Sequence, residues 1–259
     1  MAISSRTSAR APRPTIELEV VATERLSPHL VRVIFGGPGF AQFEDRPETD
    51  KYVKLRFTTR EPESLPVTRT YTVRRVDAAA GTLAIDFVVH GDEGLAGPWA
   101  AGARPGDRLS LMGPGGGYSP DTGADAHLLV GDLSALPAIA AALEALPPDA
   151  RGRAIVQVDD DRAIVPLPEA PNGVDVEWIV DPAHEVDALA TVLRQLDWPA
   201  GTVQVFAHGE RESMKAVRRV LFDERGLDRA HVSLSGYWAR GRTEDRFQAE
   251  KREPIGQIL

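Results

Sequence analysis

The chain has 259 residues, a net charge of −8 at neutral pH, 42% apolar residues and no cysteine. The missing cysteines exclude disulfides, thiolate zinc sites, cysteine nucleophiles and iron–sulfur ligation by this chain, so any redox chemistry needs a bound organic cofactor. The acidic total argues against general nucleic-acid binding, and no apolar run reaches the ~18 residues of a membrane helix, which makes a cytoplasmic location the default.

The charge is uneven. Residues 1–124 hold 15 basic and 15 acidic side chains, whereas residues 125–259 hold 15 and 23, a step that suggests two domains. MAISSRTSARAPRP (1–14) is polar, basic and punctuated by proline, and reads as a disordered leader. Six short stretches rich in β-branched and aromatic residues then follow at near-even spacing: 15–22, 29–36, 51–58, 68–76, 82–90 and 107–113. Turn residues bound each one, and the spacing predicts an antiparallel barrel closed by the sixth strand, occupying 15–121. A short helix is expected at 97–103.

The fourth strand carries RTYTVRR (69–75). Alternation puts Arg69, Tyr71 and Val73 on one face and Thr70, Thr72 and Arg74 on the other. A guanidinium beside an aromatic plane suits a flat, anionic ligand; an exposed edge strand decorated with arginines is the plainer reading.

From residue 125 the rhythm changes to strands alternating with helices, the pattern of a parallel sheet with helices on both faces. Strands are predicted at 126–131, 153–158, 174–180, 202–207 and 231–238, and helices at 134–146, 184–196 and 213–222. GDLSALPAI (131–139) and AHGERESM (207–214) are strand-to-helix junctions with a glycine at the strand end. Asp132 and Ser134 there either cap the helix or bond a ligand. GPGGGY (113–118) follows a strand but runs into YSPDTG, which cannot open a helix; it reads as a flexible turn and domain connector, not a dinucleotide fingerprint. In HGDEGLAGPWAAGARPGD (90–107) a glycine-rich loop meets a helix start near Pro98, an arrangement able to hold a pyrophosphate. The six histidines show no HExxH spacing and no GxSxG elbow occurs, so metal sites and serine hydrolysis find no support. DDD at 159–161 reads as a solvated loop.

Taken in order, Arg69-x-Tyr71-Thr72, His90-Gly91, Gly94-x-Ala96 with Trp99, Pro105-Gly106-Asp107 and Gly113-Pro114-Gly115-Gly116 continue into Gly131-Asp132, Ala135-Leu136-Pro137-Ala138-Ile139, Gly209-Glu210 with Met214, and Gly236-Tyr237-Trp238 with Gly241 and Glu244. This series resembles the siderophore-interacting protein family, flavin reductases built like ferredoxin–NADP reductase. The resemblance implies an FAD-binding barrel followed by an α/β domain (125–259, with a C-terminal closing segment) that receives NADH or NADPH. It implies that Arg69, Tyr71 and Thr72 hold the isoalloxazine and the adjacent phosphate or ribitol. Val88, His90 and the loop carrying Gly94, Ala96, Gly97 and Trp99 would cover the pyrophosphate side. Asp132 and Ser134 would approach the flavin from the second domain, and Gly209 and Glu210 would line the nicotinamide pocket.

Two departures stand out. The family's Gly-Asp-Glu-Thr is Gly-Asp-Leu-Ser here, and its Gly-Pro-Ala-Ser is Gly-Leu-Ala-Gly. The acidic run at 159–161 would favour the free 2′-hydroxyl of NADH over a 2′-phosphate. The implied activity is reduction of a ferric siderophore by electrons passed through FAD, with Lys54, Arg240 and Arg242 steering an anionic chelate. Lys251 and Arg252 are expected in a solvated terminal helix, paired with neighbouring carboxylates. A flavin reductase for another acceptor, or a flavin-bearing carrier, is the alternative. No interface signature is visible, so a monomer is expected.

Overall fold

A computed structural model describes residues 14–58, 66–90 and 94–259. Residues 1–13 of the expected leader, and 91–93 of the glycine-rich loop, lie outside the described residues. Strands β1 (Thr15–Ser27), β2 (Leu30–Gly36), β3 (Tyr52–Phe57), β4 (Val67–Asp77), β5 (Thr82–Val88) and β6 (Arg108–Gly115) form a closed barrel in the order β1-β2-β5-β4-β3-β6. Ile16 opposite Leu111 belongs to the antiparallel pairing that closes it. Inward positions bury Leu18, Val33, Leu55, Ile85 and Phe87 completely, the period-2 face expected of such strands. Helix α1 (Ala96–Gly102) stoppers the barrel: Trp99 stacks on Phe35 at 6.1 Å and meets Phe57 and Phe87 at 5.6 and 6.0 Å between ring centroids.

The second half forms a parallel sheet in the order β11-β10-β7-β8-β9, from β7 (Ala126–Asp132), β8 (Arg151–Val158), β9 (Gly173–Val180), β10 (Val203–Glu210) and β11 (Val232–Trp238). Helix α2 (Leu136–Ala145) is buried on nearly every side. Its all-round apolar sequence follows from its place between this sheet and barrel strand β4. Helices α3 (Ala188–Gln195) and α4 (Arg211–Arg218) cover the other face through Leu189, Leu193, Met214 and Val217. Helix α5 (Glu244–Glu250) follows β11. Among the described residues no helix is long and apolar enough to cross a membrane.

The seam between barrel and sheet is both apolar and ionic. Leu30, Val88 and Tyr118 join the core under α2. Arg74 makes two 2.8 Å bonds to Glu144 on α2, and His29 Nε2 lies 3.0 Å from Asp160 Oδ2.

The structure corrects several expectations. GPGGGY is no flexible turn: β6 runs through Gly115, where a side chain would strike the Tyr52 ring at 2.6 Å, and Asp50 Oδ1 accepts from the Gly117 and Tyr118 amides at 2.8 and 2.9 Å. Helix α3 starts at residue 188, not 184, because Asp181 Oδ2 accepts from Glu185 N and His184 takes a positive φ of 55°. Helix α4 gives way to a π-helical turn at Arg219–Glu224.

Candidate functional site

In the sheet order, β7 is the strand from which the chain moves outward in both directions, so the crevice between the C-terminal ends of β7 and β10 is the topological switch point where open α/β sheets take ligands. The strands come close there because glycines line it. A Cβ on Gly131 would meet His208 O at 2.5 Å, and one on Gly209 would meet Asp132 Oδ2 at 2.7 Å.

Asp132 ties this crevice together. Its Oδ1 accepts from Ser134 N at 2.9 Å and Ser134 Oγ at 2.5 Å, and its Oδ2 from Glu210 N and Trp238 Nε1, each at 2.8 Å. Burial pushes its pKa upward, and the donors from Ser134 and Trp238 pull it back down. It does not cap α2, whose N-cap is Ala135 without a side-chain bond. Glu210 is the capping residue: its Oε2 accepts from Glu212 N and Ser213 N at 2.6 and 3.0 Å, opening α4. Its Oε1 takes Arg240 N at 3.0 Å, so both oxygens are engaged in holding backbone.

Across this crevice stands the RTYT segment of β4, and between them lies a cavity of about 580 Å³, within the ~300–1,000 Å³ usual for small-molecule sites. Of the residues singled out in the sequence, Arg69, Tyr71, Thr72, Val88 and His90 line its barrel wall, and Asp132, Ser134 and Glu210 its sheet wall. Tyr71 packs on Phe87 at 4.4 Å between centroids, and burial raises its pKa. Burial likewise raises that of Tyr237, while a hydrogen bond with Thr72 opposes the rise. Lys54 and Arg240 border the mouth. Arg240 NH1 donates to His184 O at 3.3 Å and its guanidinium lies 5.9 Å from the Trp238 ring centre.

Other expected residues do not line the cavity. Gly94, Ala96, Gly97 and Trp99 sit at or beside α1, with Trp99 in the barrel core. Arg242 donates to Glu250 Oε1 at 2.8 Å. Lys251, expected to be a solvated helix residue, instead borders the mouth and sits over Phe247 at 4.7 Å. Burial lowers its pKa, Glu244 opposes this, and the nearby Lys54 charge adds to it. The acidic run divides: Asp159 lines the cavity beside His184 Nδ1 at 3.0 Å, while Asp160 bonds Arg162 and His29.

Sequence reasoning missed Tyr52, Tyr237 and Trp238 as wall residues. Tyr52 shares the outward face of β3 with Lys54, and that alternation is the signal for it. Aromatic planes (Tyr52, Tyr71, Tyr237), the Thr72 hydroxyl and the cations Arg69 and Lys54 around one seam form a donor set that fits a flat dinucleotide bearing phosphate.

The family model described as siderophore-interacting FAD-binding domain matches residues 19–64 and 56–118, and that described as siderophore-interacting protein matches 124–241. The chain is 46% identical to a Mycobacterium tuberculosis protein over 94% of this chain and 96% of that one. It is 34% identical to the ferric vibriobactin reductase ViuB of Vibrio cholerae, covering 90% and 93%. Among solved structures it superposes on a siderophore utilization protein from T. fusca with a TM-score of 0.81, at 38% identity and 90% and 95% coverage. The siderophore-interacting protein SipS of Aeromonas hydrophila gives 0.84 at 29% identity, with 95% and 99% coverage. A ferredoxin reductase of carbazole 1,9a-dioxygenase, at 18% identity and a TM-score of 0.70, shares the fold.

Proposed function

Because the chain belongs to the siderophore-interacting protein family, we propose that it is a flavin-dependent reductase passing electrons from NADH or NADPH, through FAD, to siderophore-bound Fe(III). The observation that carries this reading is the seam cavity, with the RTYT strand on one wall and the sheet's switch point on the other. A bound flavin supplies the conversion, taking two electrons from a nicotinamide and giving them singly to ferric iron, each reduction yielding Fe(II). Fe(II) is held less tightly by the hard oxygen donors of a siderophore and leaves.

In this reading Arg69 neutralises a flavin phosphate, and Tyr71 and Thr72 fix the ring system on the barrel. Gly209 leaves room for the Asp132 carboxylate, and the bond from Glu210 N to that carboxylate holds the two strands at a fixed spacing for the nicotinamide. Lys54, Arg240 and Lys251 put cations at a cavity that also carries Asp159 and Glu244, and in this reading those cations draw in an anionic ferric chelate that a protein of charge −8 would as a whole repel. No side chain need act as nucleophile or general acid; the residues orient donor and acceptor.

The test is the visible spectrum of the purified protein, repeated anaerobically with NADH and then NADPH, followed by a ferric siderophore and a ferrous trap. A flavin spectrum that bleaches with a nicotinamide and recovers as Fe(II) appears is the expected result. A flavin that neither nicotinamide bleaches would overturn the donor assignment. A protein unable to take up FAD would overturn the whole reading.

A further inference from the structure

Arg69 is committed to a partner inside the molecule. Its NH1 donates to Thr68 O at 2.8 Å and to Asp245 Oδ1 at 3.1 Å, and its NH2 reaches Asp245 Oδ2 at 3.5 Å. The edge of the guanidinium offered to Asp245 is the fork that grips a phosphate with two parallel bonds. A phosphate that takes this fork must displace Asp245, and one bound at the Nε edge would stand beside its like charge.

Asp245 belongs to the first turn of α5, and the two ends of that helix are held very differently. At the far end the Glu250 carboxylate, on a residue 1% exposed, accepts from Arg211 at 2.6 Å and from Arg242 and Arg246 at 2.8 Å each. At the near end Asp245, with its side chain 73% exposed, pairs with Arg69 on the barrel. Glu244 and Gln248 of the same helix border the cavity, as does Lys251 just beyond it.

We propose that Asp245 is an internal competitor for the flavin phosphate: a phosphate taking Arg69 displaces Asp245, and the first turn of α5 then lets go of the barrel while Glu250 keeps the other end in place. Cofactor loading thereby loosens one side of the mouth through which the ferric chelate enters. The inference rests on Arg69 serving the phosphate, as proposed above.

The experiment titrates FAD, and separately riboflavin, into apoprotein of the full chain, following flavin fluorescence for wild type, Asp245→Asn, Arg69→Gln and the double variant. Asp245 is exposed, so Asp245→Asn is not expected to perturb folding. The expected result is FAD binding tightened about two- to fivefold by Asp245→Asn, the range open to an exposed ion pair. Riboflavin, which has no phosphate, should bind unchanged, and the gain should vanish in the Arg69→Gln background. Equal or weaker FAD binding by Asp245→Asn overturns the competition. Arg69→Gln binding FAD as well as wild type overturns it differently, by removing the phosphate role itself. Hydrogen exchange on the wild type gives a second readout: FAD should speed exchange of the 244–250 amides, and unchanged or slower exchange would refute the release of α5.

Discussion

The indole Nε1 of Trp238 donates to Asp132 Oδ2 at 2.8 Å, joining the ends of β11 and β7 across the intervening β10. Glu210 N donates to the same oxygen, and Ser134 supplies two donors to the other. Every partner donates, so both oxygens must be acceptors. Asn at this position would turn its amide N–H groups against one pair of donors. We expect Asp132→Ala to destabilise the fold by about 3 kcal/mol through the stranded donors, and Asp132→Asn to rescue little of that loss. Chemical denaturation of the three proteins checks it, and an Asn variant as stable as wild type would contradict the hub.

The cations at the mouth give a second prediction. Lys54→Glu and Lys251→Glu should each raise KM severalfold for an anionic ferric chelate at low salt, and the effect should fade as salt increases. Reduction of a neutral dye should barely change. Arg242→Gln, whose charge serves Glu250, should alter chelate KM less than either. Equal effects on the charged and neutral acceptors would rule out steering.

His208 offers a prediction in pH. It is 4% exposed, its Nε2 lies 2.9 Å from Ser233 Oγ, and its Nδ1 has no hydrogen-bond partner among the described residues. Burial holds its pKa down at about 3. The unfolded chain therefore binds a proton near pH 6.5 that the folded chain refuses, so this group's contribution to stability is present above pH 6.5 and lost as pH falls toward 3. The loss from pH 7 to pH 5 is about 2 kcal/mol. Urea unfolding at both values should show a smaller pH dependence for His208→Gln, and an identical slope would contradict the burial argument.

Arg74 tests the seam. Its side chain is 8% exposed but Glu144 is 45% exposed, so solvent screens the pair. Arg74→Met should cost about 1 kcal/mol, chiefly by loosening α2 from β4. Comparing the midpoints of barrel and sheet unfolding, with tryptophans as reporters, would reveal it as a wider separation of the two.

Much of this was legible beforehand because strands and helices declare themselves by period. The eleven strands of the described residues lie where alternation and turn residues predicted them, and the glycines at 131 and 209, read as marking strand-to-helix junctions, lie at the C-terminal ends of β7 and β10. What escaped depended on partners distant in sequence. Asp132 stands just ahead of a helix and so reads in the sequence as either its cap or a ligand contact; only folding brings residues 210 and 238 to its oxygens. Lys251 and Arg242 look alike in a charged tail, and the buried Glu250 decides which of them is consumed. The start of α3 was misread because Val186 and Ala188 extend an apolar rhythm that the Asp181 turn interrupts.

The Asp132 hub also sets an order of assembly. Its donors come from residues 134, 210 and 238, so a chain emerging from the ribosome can close its barrel, complete by residue 115, long before the opposing wall exists. The barrel face that lines the cavity is finished first and waits for the last strand of the sheet. Bonds of such long sequence separation form late, which puts the crevice between β7 and β10 among the last parts of this molecule to take shape.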